Sequence, residues 1–325
     1  MKNKLHNWML CGVVIIFVAI FPHVSGIYFT NLFLAFAIFS LYAVTVNLLL
    51  GYMGVLSFGH AMFFGTGAYA TALALAHIQG FPLLPAVLVG GLAGGLLALI
   101  LSPLLVRVSG TAFAMLTLAF GQLIFVVALK YREVTGGEDG IGGYPIPPLN
   151  IPGVVSIDMT DQINFYYFAL AAVVVCLLIL WFYTKTPFGS LVVGVRDNAM
   201  RIDYLGFKLP HTKAVNLIVS GAFAGIAGSI NALLQKLVST VGVLDIGTSF
   251  APIMMAYIGG VGSFFGPIFG SGVIYLLEDL AIRFTERIGL VNGVIFILVV
   301  LYAPRGLVGL FQTAKAKWFH SQKVS

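Results

Sequence analysis

Few residues of this sequence could do chemistry, and the clearest group stands in a glycine-rich stretch between two apolar runs. There, Ser57, Phe58, Gly59 and His60 place a hydroxyl and an imidazole beside a residue without a side chain. An imidazole inside a membrane needs polar partners, so His60 has either a structural role or a role along a pathway for a polar solute. The residues alone leave both interpretations open.

The sequence motifs of enzymes are missing from this chain. It contains neither the Walker A pattern G-x-x-x-x-G-K-[ST] nor the zinc-binding pattern H-E-x-x-H. The nucleophile elbow G-x-S-x-G is missing too. We therefore expect no catalytic residue, no metal site and no cofactor, and the energy for any transport has to come from another chain.

Composition places the chain in a membrane. Hydrophobic residues make up 60% of the 325 residues and charged residues only 9%, against about 25% in an ordinary soluble domain. Such a chain cannot cover a water-soluble surface with charge. Its 17 basic residues are spread along the sequence, so the net charge of +6 does not form the patch that a nucleic-acid binder uses. We expect an all-α polytopic membrane protein without a nucleic-acid partner.

Apolar runs long enough to cross a bilayer define the elements that must position these residues. The eight predicted spans cover residues 9–21, 27–50, 61–77, 82–106, 110–129, 163–184, 214–235 and 289–303. The run at 248–277 contains Gly260, Gly262 and Pro267, which predict two half-helices instead of one span. We predict about eight full transmembrane helices plus this broken re-entrant element. The first run also resembles a cleaved signal peptide, although a retained anchor is favoured.

The distribution of charge gives the orientation. Residues 130–162 carry two basic and five acidic residues, whereas residues 185–213 carry five basic and two acidic ones. Because basic loops stay in the cytoplasm, we predict that 130–162 lies outside and 185–213 inside. A re-entrant element then places residues 278–287 outside and the basic tail, 305–325, in the cytoplasm. Residues 1–325 are expected to form a single transmembrane domain.

Polar residues and glycines within the apolar runs are candidates for lining a path. Proton-driven carriers and voltage-gated channels usually carry charges inside the membrane, and the predicted span centres carry none. A pore driven by another chain is therefore favoured. The candidates along its path are Ser57, Phe58, Gly59, His60, Thr117, Gln122, Gly260 and Ser263. Glycine pairs that indicate close helix packing are Gly90 with Gly94 and Gly221 with Gly225.

The basic segment 185–213 contains more apolar side chains than a solvated loop should expose. A polar turn at residues 196–198 can cap a helix of about two turns, and Gly206 would end that helix as its C-cap. We predict a short helix that docks on a cytoplasmic partner; a solvated positive loop is the alternative. The residues expected to couple to that partner are Arg196, Asp197, Asn198, Met200, Leu205 and Gly206.

Several motifs between residues 51 and 310 resemble, in order, those of the LivM-type permease subunits of branched-chain amino-acid ABC importers. These motifs begin with G-Y-M-G-V-L-S-F-G-H at Gly51, T-L-A-F at Thr117, T-G-G-E-D-G at Thr135, T-P-F-G at Thr186 and G-G-V-G-S at Gly259. Together they are specific for the permease family. They are much less specific for a substrate.

The resemblance implies an ABC-importer permease fold in a bacterial inner membrane. It implies as partners a paralogous LivH-type permease subunit, two cytoplasmic ATPase subunits and a periplasmic substrate-binding protein. The segment after T-P-F-G would be the ATPase-coupling segment, although Ala199, Arg201 and Ile202 depart from the family's usual residues there. The expected function is ATP-driven import of branched-chain or related amino acids. Alternatives are a permease for urea, short amides, nucleosides or sugars and, in another class, a self-sufficient channel or secondary carrier.

Overall fold

The computed structural model describes residues 20–151, 155–284 and 287–302, together with Gly306, Leu307 and Gly309. The first predicted span, residues 9–21, and the basic tail, residues 305–325, lie almost entirely outside the described residues. Helices make up most of the described chain, as the apolar runs predict.

The helices follow one another with short connections. In chain order they are α1 (Ile27–Asn47), α2 (Ala61–His77), α3 (Leu83–Leu105), α4 (Thr111–Lys130), α5 (Arg132–Thr135), α6 (Gln162–Lys185), α7 (Pro187–Tyr204), α8 (Leu209–Gln235), α9 (Thr240–Leu244), α10 (Ile246–Gly259), α11 (Gly266–Ile282) and α12 (Ile288–Tyr302). A π-helical segment, Leu48–Met53, continues α1 without a gap.

Six helical segments of the described chain are long and apolar enough to cross a membrane. They are Ile27–Met53, Leu83–Leu105, Thr111–Lys130, Gln162–Lys185, Leu209–Gln235 and Thr240–Gly259. The helices α2, α11 and α12 are shorter, with 17, 17 and 15 residues. The predicted fold class, a polytopic helical membrane protein, is confirmed, whereas the count of eight full spans is not.

The run at 248–277 is interrupted where its glycines predict. α10 ends at Gly259, and Gly260 follows with a φ of 121° before α11 begins at Gly266. α11 continues to Ile282, so the start of the predicted outer loop at 278–287 is helical instead. Asp279 is buried there and accepts a hydrogen bond of 2.6 Å from the Tyr28 hydroxyl. The side of the membrane on which this end lies stays a prediction.

Short strands accompany the helices, which the all-α prediction did not include. β1 (Ile141–Gly142) pairs antiparallel with β4 (Leu237–Val238), and β2 (Leu149–Ile151) pairs antiparallel with β3 (Val155–Ile157). The first pair holds the segment between α4 and α6 against the end of α8.

The predicted glycine pairs bring α3 and α8 into direct contact. A Cβ built on Gly94 would lie 2.5 Å from the carbonyl oxygen of Gly221, and one built on Gly225 would lie 2.4 Å from that of Gly90. The two backbones therefore touch at a distance that any larger side chain would prevent.

We expect Gly225→Ala to lower the stability of the folded protein by roughly 1–3 kcal/mol, because an added methyl group overpacks the contact between α3 and α8. Gly293→Ala is the matched control, since a Cβ built on that glycine meets no atom within 4 Å. Thermal unfolding in detergent, followed by size-exclusion chromatography, compares the two variants. Equal melting temperatures would contradict the close contact.

Candidate functional site

Two non-helical segments meet the same end of α1. The first break, residues 54–60, connects the π-helical segment to α2, and the second break, residues 260–265, connects α10 to α11. Each contains a glycine in the left-handed region, with φ of 76° at Gly54 and 83° at Gly262. The last turn of α1 contacts the first break through Thr45 and the second through Asn47.

Thr45 holds the first break through His60. The Oγ1 atom of Thr45 and the Nε2 atom of His60 are 3.2 Å apart, and the Oγ atom of Ser220 on α8 lies 3.4 Å from the same nitrogen. Ser220 also donates to the carbonyl oxygen of Thr45 at 2.7 Å. All three side chains are buried, so a polar contact joins α1, α8 and the start of α2 inside the protein.

Aromatic rings enclose the His60 imidazole. Tyr42 stacks on it with ring centroids 5.8 Å apart, and Phe63 meets it edge-on at 5.3 Å. The Tyr42 hydroxyl, Ser57 Oγ and His60 Nδ1 are buried and have no hydrogen-bond partner among the described residues. Because buried polar groups normally have partners, these atoms are the groups of this site that remain available to a polar solute.

The backbone of the first break packs directly on α4. The Phe58 N–H donates to Oγ1 of Thr117 at 3.2 Å. A Cβ built on Gly59 would lie 1.8 Å from the Thr117 carbonyl oxygen, and one built on Gly121 would lie 3.0 Å from the Gly59 Cα. Gly59 is therefore enclosed between backbones and does not face an open space.

Asn47 holds the second break with its side-chain amide. Its Oδ1 accepts a hydrogen bond of 3.1 Å from the Gly262 N–H, and its Nδ2 donates to the carbonyl oxygen of Ser263 at 2.9 Å. Gly51 has to be glycine at this place, because a Cβ would lie 2.2 Å from Oδ1 of Asn47 and 2.4 Å from the Gly262 nitrogen. The amide thus serves as the partner of a backbone that has left the helix.

The predicted coupling segment is a longer helix than the sequence indicates. α7 contains 18 residues and begins at Pro187, whereas the expected helix begins only after residue 198. Asn198 has φ −157° and ψ 91°, which kinks α7 at this position. The Oδ1 atom of Asn198 accepts a hydrogen bond of 3.0 Å from the Arg201 N–H. The structure therefore has the polar cap that the sequence predicts, but inside a helix.

Gly206 ends α7 as predicted. Its φ is 87°, its N–H donates to the carbonyl oxygen of Asp203 at 2.8 Å, and the Phe207 N–H donates to that of Ile202 at 3.3 Å. These two bonds are the hydrogen bonds of a Schellman motif, which favours glycine at the left-handed position.

Arg196 turns its side chain towards the breaks. Its Nη1 donates to the carbonyl oxygen of Gly51, and its Nη2 lies 2.8 Å from Oδ1 of Asp197. The methylene stem crosses Gly54, where a Cβ would lie 2.6 Å from the Arg196 Cγ. The sequence groups Arg196 with the docking residues, and the structure places it against the backbone of its own chain.

The structure gathers some predicted path residues and separates others. Those that form one cluster are Ser57, Phe58, Gly59, His60 and Thr117. Gly260 and Ser263 belong to the second break, which α1 connects to that cluster. Gln122 is half-buried on α4, next to the glycine that packs on the first break.

Sequence reasoning did not single out the residues that hold the breaks. These are Thr45, Asn47, Ser220 and Ser249, the last of which accepts a hydrogen bond of 3.0 Å from the Ala61 N–H at the start of α2. The available signal was a polar residue within an apolar run. Many residues of this chain share that signal, so it does not distinguish these four.

Comparison with known proteins gives the family. Residues 28–303 match the family described as the branched-chain amino acid transport system / permease component. The chain belongs to this family. The match includes both breaks, all of α7 and every span-length helix that the structure describes.

Relatives within the family are permeases of transport systems. The chain is 28% identical over 282 residues to the high-affinity branched-chain amino acid transport system permease protein LivM of Salmonella typhimurium, which covers 81% of this chain and 66% of that protein. It is 27% identical over 269 residues to the probable branched-chain amino acid transport permease protein LivH of Methanocaldococcus jannaschii, covering 76% and 82%. A match of 30% identity over 128 residues links it to the guanosine ABC transporter permease protein NupQ of Bacillus subtilis, covering 38% and 39%.

The chain spans slightly less than two thirds of the length of the LivM relative. No solved structure matches it. The description of the site therefore depends on the geometry given above.

We expect Thr117→Val to destabilise the protein by roughly 1–3 kcal/mol, because valine keeps the shape of threonine but leaves the buried Phe58 N–H without its acceptor. Thr117→Ser retains the hydroxyl and is the matched control. The melting temperatures of the two purified variants measure the difference. A valine variant as stable as the serine variant would show that this hydrogen bond does not hold the first break.

Proposed function

We propose that this chain is a permease subunit of an ATP-driven importer for branched-chain or related amino acids. The observation that carries the proposal is the family match over residues 28–303. The names of the LivM and LivH relatives support the substrate class. The chain itself contains no Walker A motif, so ATP hydrolysis is assigned to partner subunits.

The proposed assembly contains a paralogous LivH-type permease subunit, two cytoplasmic ATPase subunits and a periplasmic substrate-binding protein. It would lie in the bacterial inner membrane, with residues 130–162 in the periplasm and residues 185–213 and 305–325 in the cytoplasm. The opposite charges of the first two segments support this orientation. The acidic outer segment suits encounter with a soluble binding protein.

The part of α7 beyond its kink is the proposed docking surface for the ATPases. Its exposed apolar side chains are Met200, Tyr204, Leu205 and Phe207, with exposed fractions of 72%, 88%, 64% and 48%. Such a cluster next to basic residues is typical of a protein–protein contact. The Schellman motif at Gly206 fixes the end of this surface and so supports its role as a rigid contact.

A groove beside the first break supports an apolar path for the substrate. It has a volume of about 340 Å³ and lies further along α2 and α4. Its lining includes Thr66, Tyr69, Leu73, Ile124, Val127 and Tyr131. The aliphatic surface suits a branched side chain, while the polar groups of the neighbouring first break suit the charged end of an amino acid.

Reconstitution of the complete complex in liposomes tests this function. We expect uptake of leucine that requires ATP and the loaded binding protein. The relationship to NupQ favours nucleosides as the second candidate, and uptake of guanosine instead of leucine would support it. Transport by this chain without ATPases would contradict both candidates and identify a channel or a secondary carrier.

We expect the double variant Met200→Ser, Leu205→Ser to lose copurification with the ATPases. Each substitution should weaken binding by roughly tenfold or more, because burial of a methionine or leucine side chain contributes about 1.5–3 kcal/mol. Ile78→Ser is the control, since Ile78 is 50% exposed in the turn after α2 and lies outside the docking surface. Unchanged copurification of the double variant would assign the ATPase contact to another surface.

A further inference from the structure

Three segments that are far apart in the sequence meet at the Arg196 side chain. Its Nη1 donates to the carbonyl oxygen of Gly51, in the π-helical segment that leads into the first break. The same nitrogen lies 3.5 Å from a Cβ built on Gly262, in the second break. Asn47 holds Gly262 from the other side. The guanidinium therefore touches both breaks where they approach each other most closely.

The chemistry of arginine suits this position. A guanidinium group is planar and presents its donors in a fixed fork. Its Nε and Nη2 atoms face Oδ1 of Asp197 at 2.9 and 2.8 Å, which directs Nη1 at Gly51. Lysine carries a single ammonium group and cannot make these contacts together in the same geometry. The stem also requires Gly54, because any Cβ at that position would collide with it.

The kink in α7 separates an anchored part from the proposed docking part. Before the kink, Val192 and Val195 are buried, and Thr186 caps the helix by accepting a hydrogen bond of 3.1 Å from the Gly189 N–H. After the kink, the exposed apolar side chains begin. Arg196 lies in the anchored part, two residues before the kink at Asn198.

We propose that Arg196 is a latch, a positioning residue through which α7 holds the first and second breaks as one unit. Force applied to the docking part then moves both breaks together. This inference rests on the proposed function, because it requires ATPases that act on α7. It separates two roles within one helix, since the residues after the kink bind the ATPases and Arg196 transmits their movement.

The test uses the complete complex in liposomes, with its ATPases and its binding protein, carrying Arg196→Gln. Copurification of the ATPases and basal ATP hydrolysis should stay at the wild-type level, because the docking surface is unchanged. Hydrolysis stimulated by the loaded binding protein should fall about tenfold, a common size for coupling between two sites, and uptake should fall with it. Arg196→Lys should give an intermediate stimulation.

Two control variants separate the latch from a general effect of charge. Arg107→Gln removes a positive charge from an exposed residue in the turn after α3 and should leave stimulation and uptake unchanged. Asp197→Asn removes an ion pair whose side chains are 37% and 62% exposed. Because exposed ion pairs contribute little, this variant should lose much less stimulation than Arg196→Gln.

Wild-type stimulation in Arg196→Gln would overturn the latch. Loss of copurification and of basal hydrolysis would also overturn it, because Arg196 would then be a docking residue. If neither the Gln nor the Lys variant assembles, Arg196 is required for folding and the latch is wrong. A wild-type complex that does not couple ATP hydrolysis to uptake overturns the proposed function itself, whereas failure of the latch alone leaves wild-type uptake intact.

Discussion

Backbone groups that leave a helix at membrane depth need hydrogen-bond partners, and the last turn of α1 supplies or organises them for both breaks. An unpaired N–H or C=O group in hydrocarbon costs several kcal/mol. Asn47 satisfies the backbone of Gly262 and Ser263, while Thr45 and Ser220 fix the imidazole that opens α2. The positions of both glycine-broken segments therefore depend on one short stretch of one helix.

Glycine makes these contacts possible by allowing backbones to touch. At Gly51 and Gly59 even a methyl group would collide with neighbouring backbone atoms. Segments packed this closely cannot deform by small amounts, and they change between discrete arrangements instead. The breaks are therefore expected to shift together with α1 and the anchored part of α7, as a transport cycle with two states requires.

Local features of the fold can be predicted from the sequence, and long-range contacts cannot. The interruption after Gly259 and the helix end at Gly206 follow from glycine acting at its own position. The contacts of Arg196 and Asn47 reach 145 and 216 residues along the chain, and a polar residue in an apolar run looks the same whichever carbonyl it meets. The first half of α7 was missed because valine and glycine at residues 192–195 have low helix propensity, which burial overrides.

The distance between the anchored part of α7 and the second break tests this account most directly. Spin labels at Ser190 and Val261, both exposed, report it by double electron–electron resonance in a complex whose Cys11 and Cys176 are replaced by alanine. The account predicts the same distance distribution in the nucleotide-free and the ATP-bound complex, because the two segments move as one unit. A change of several ångströms on ATP binding would show that they move separately and would contradict it.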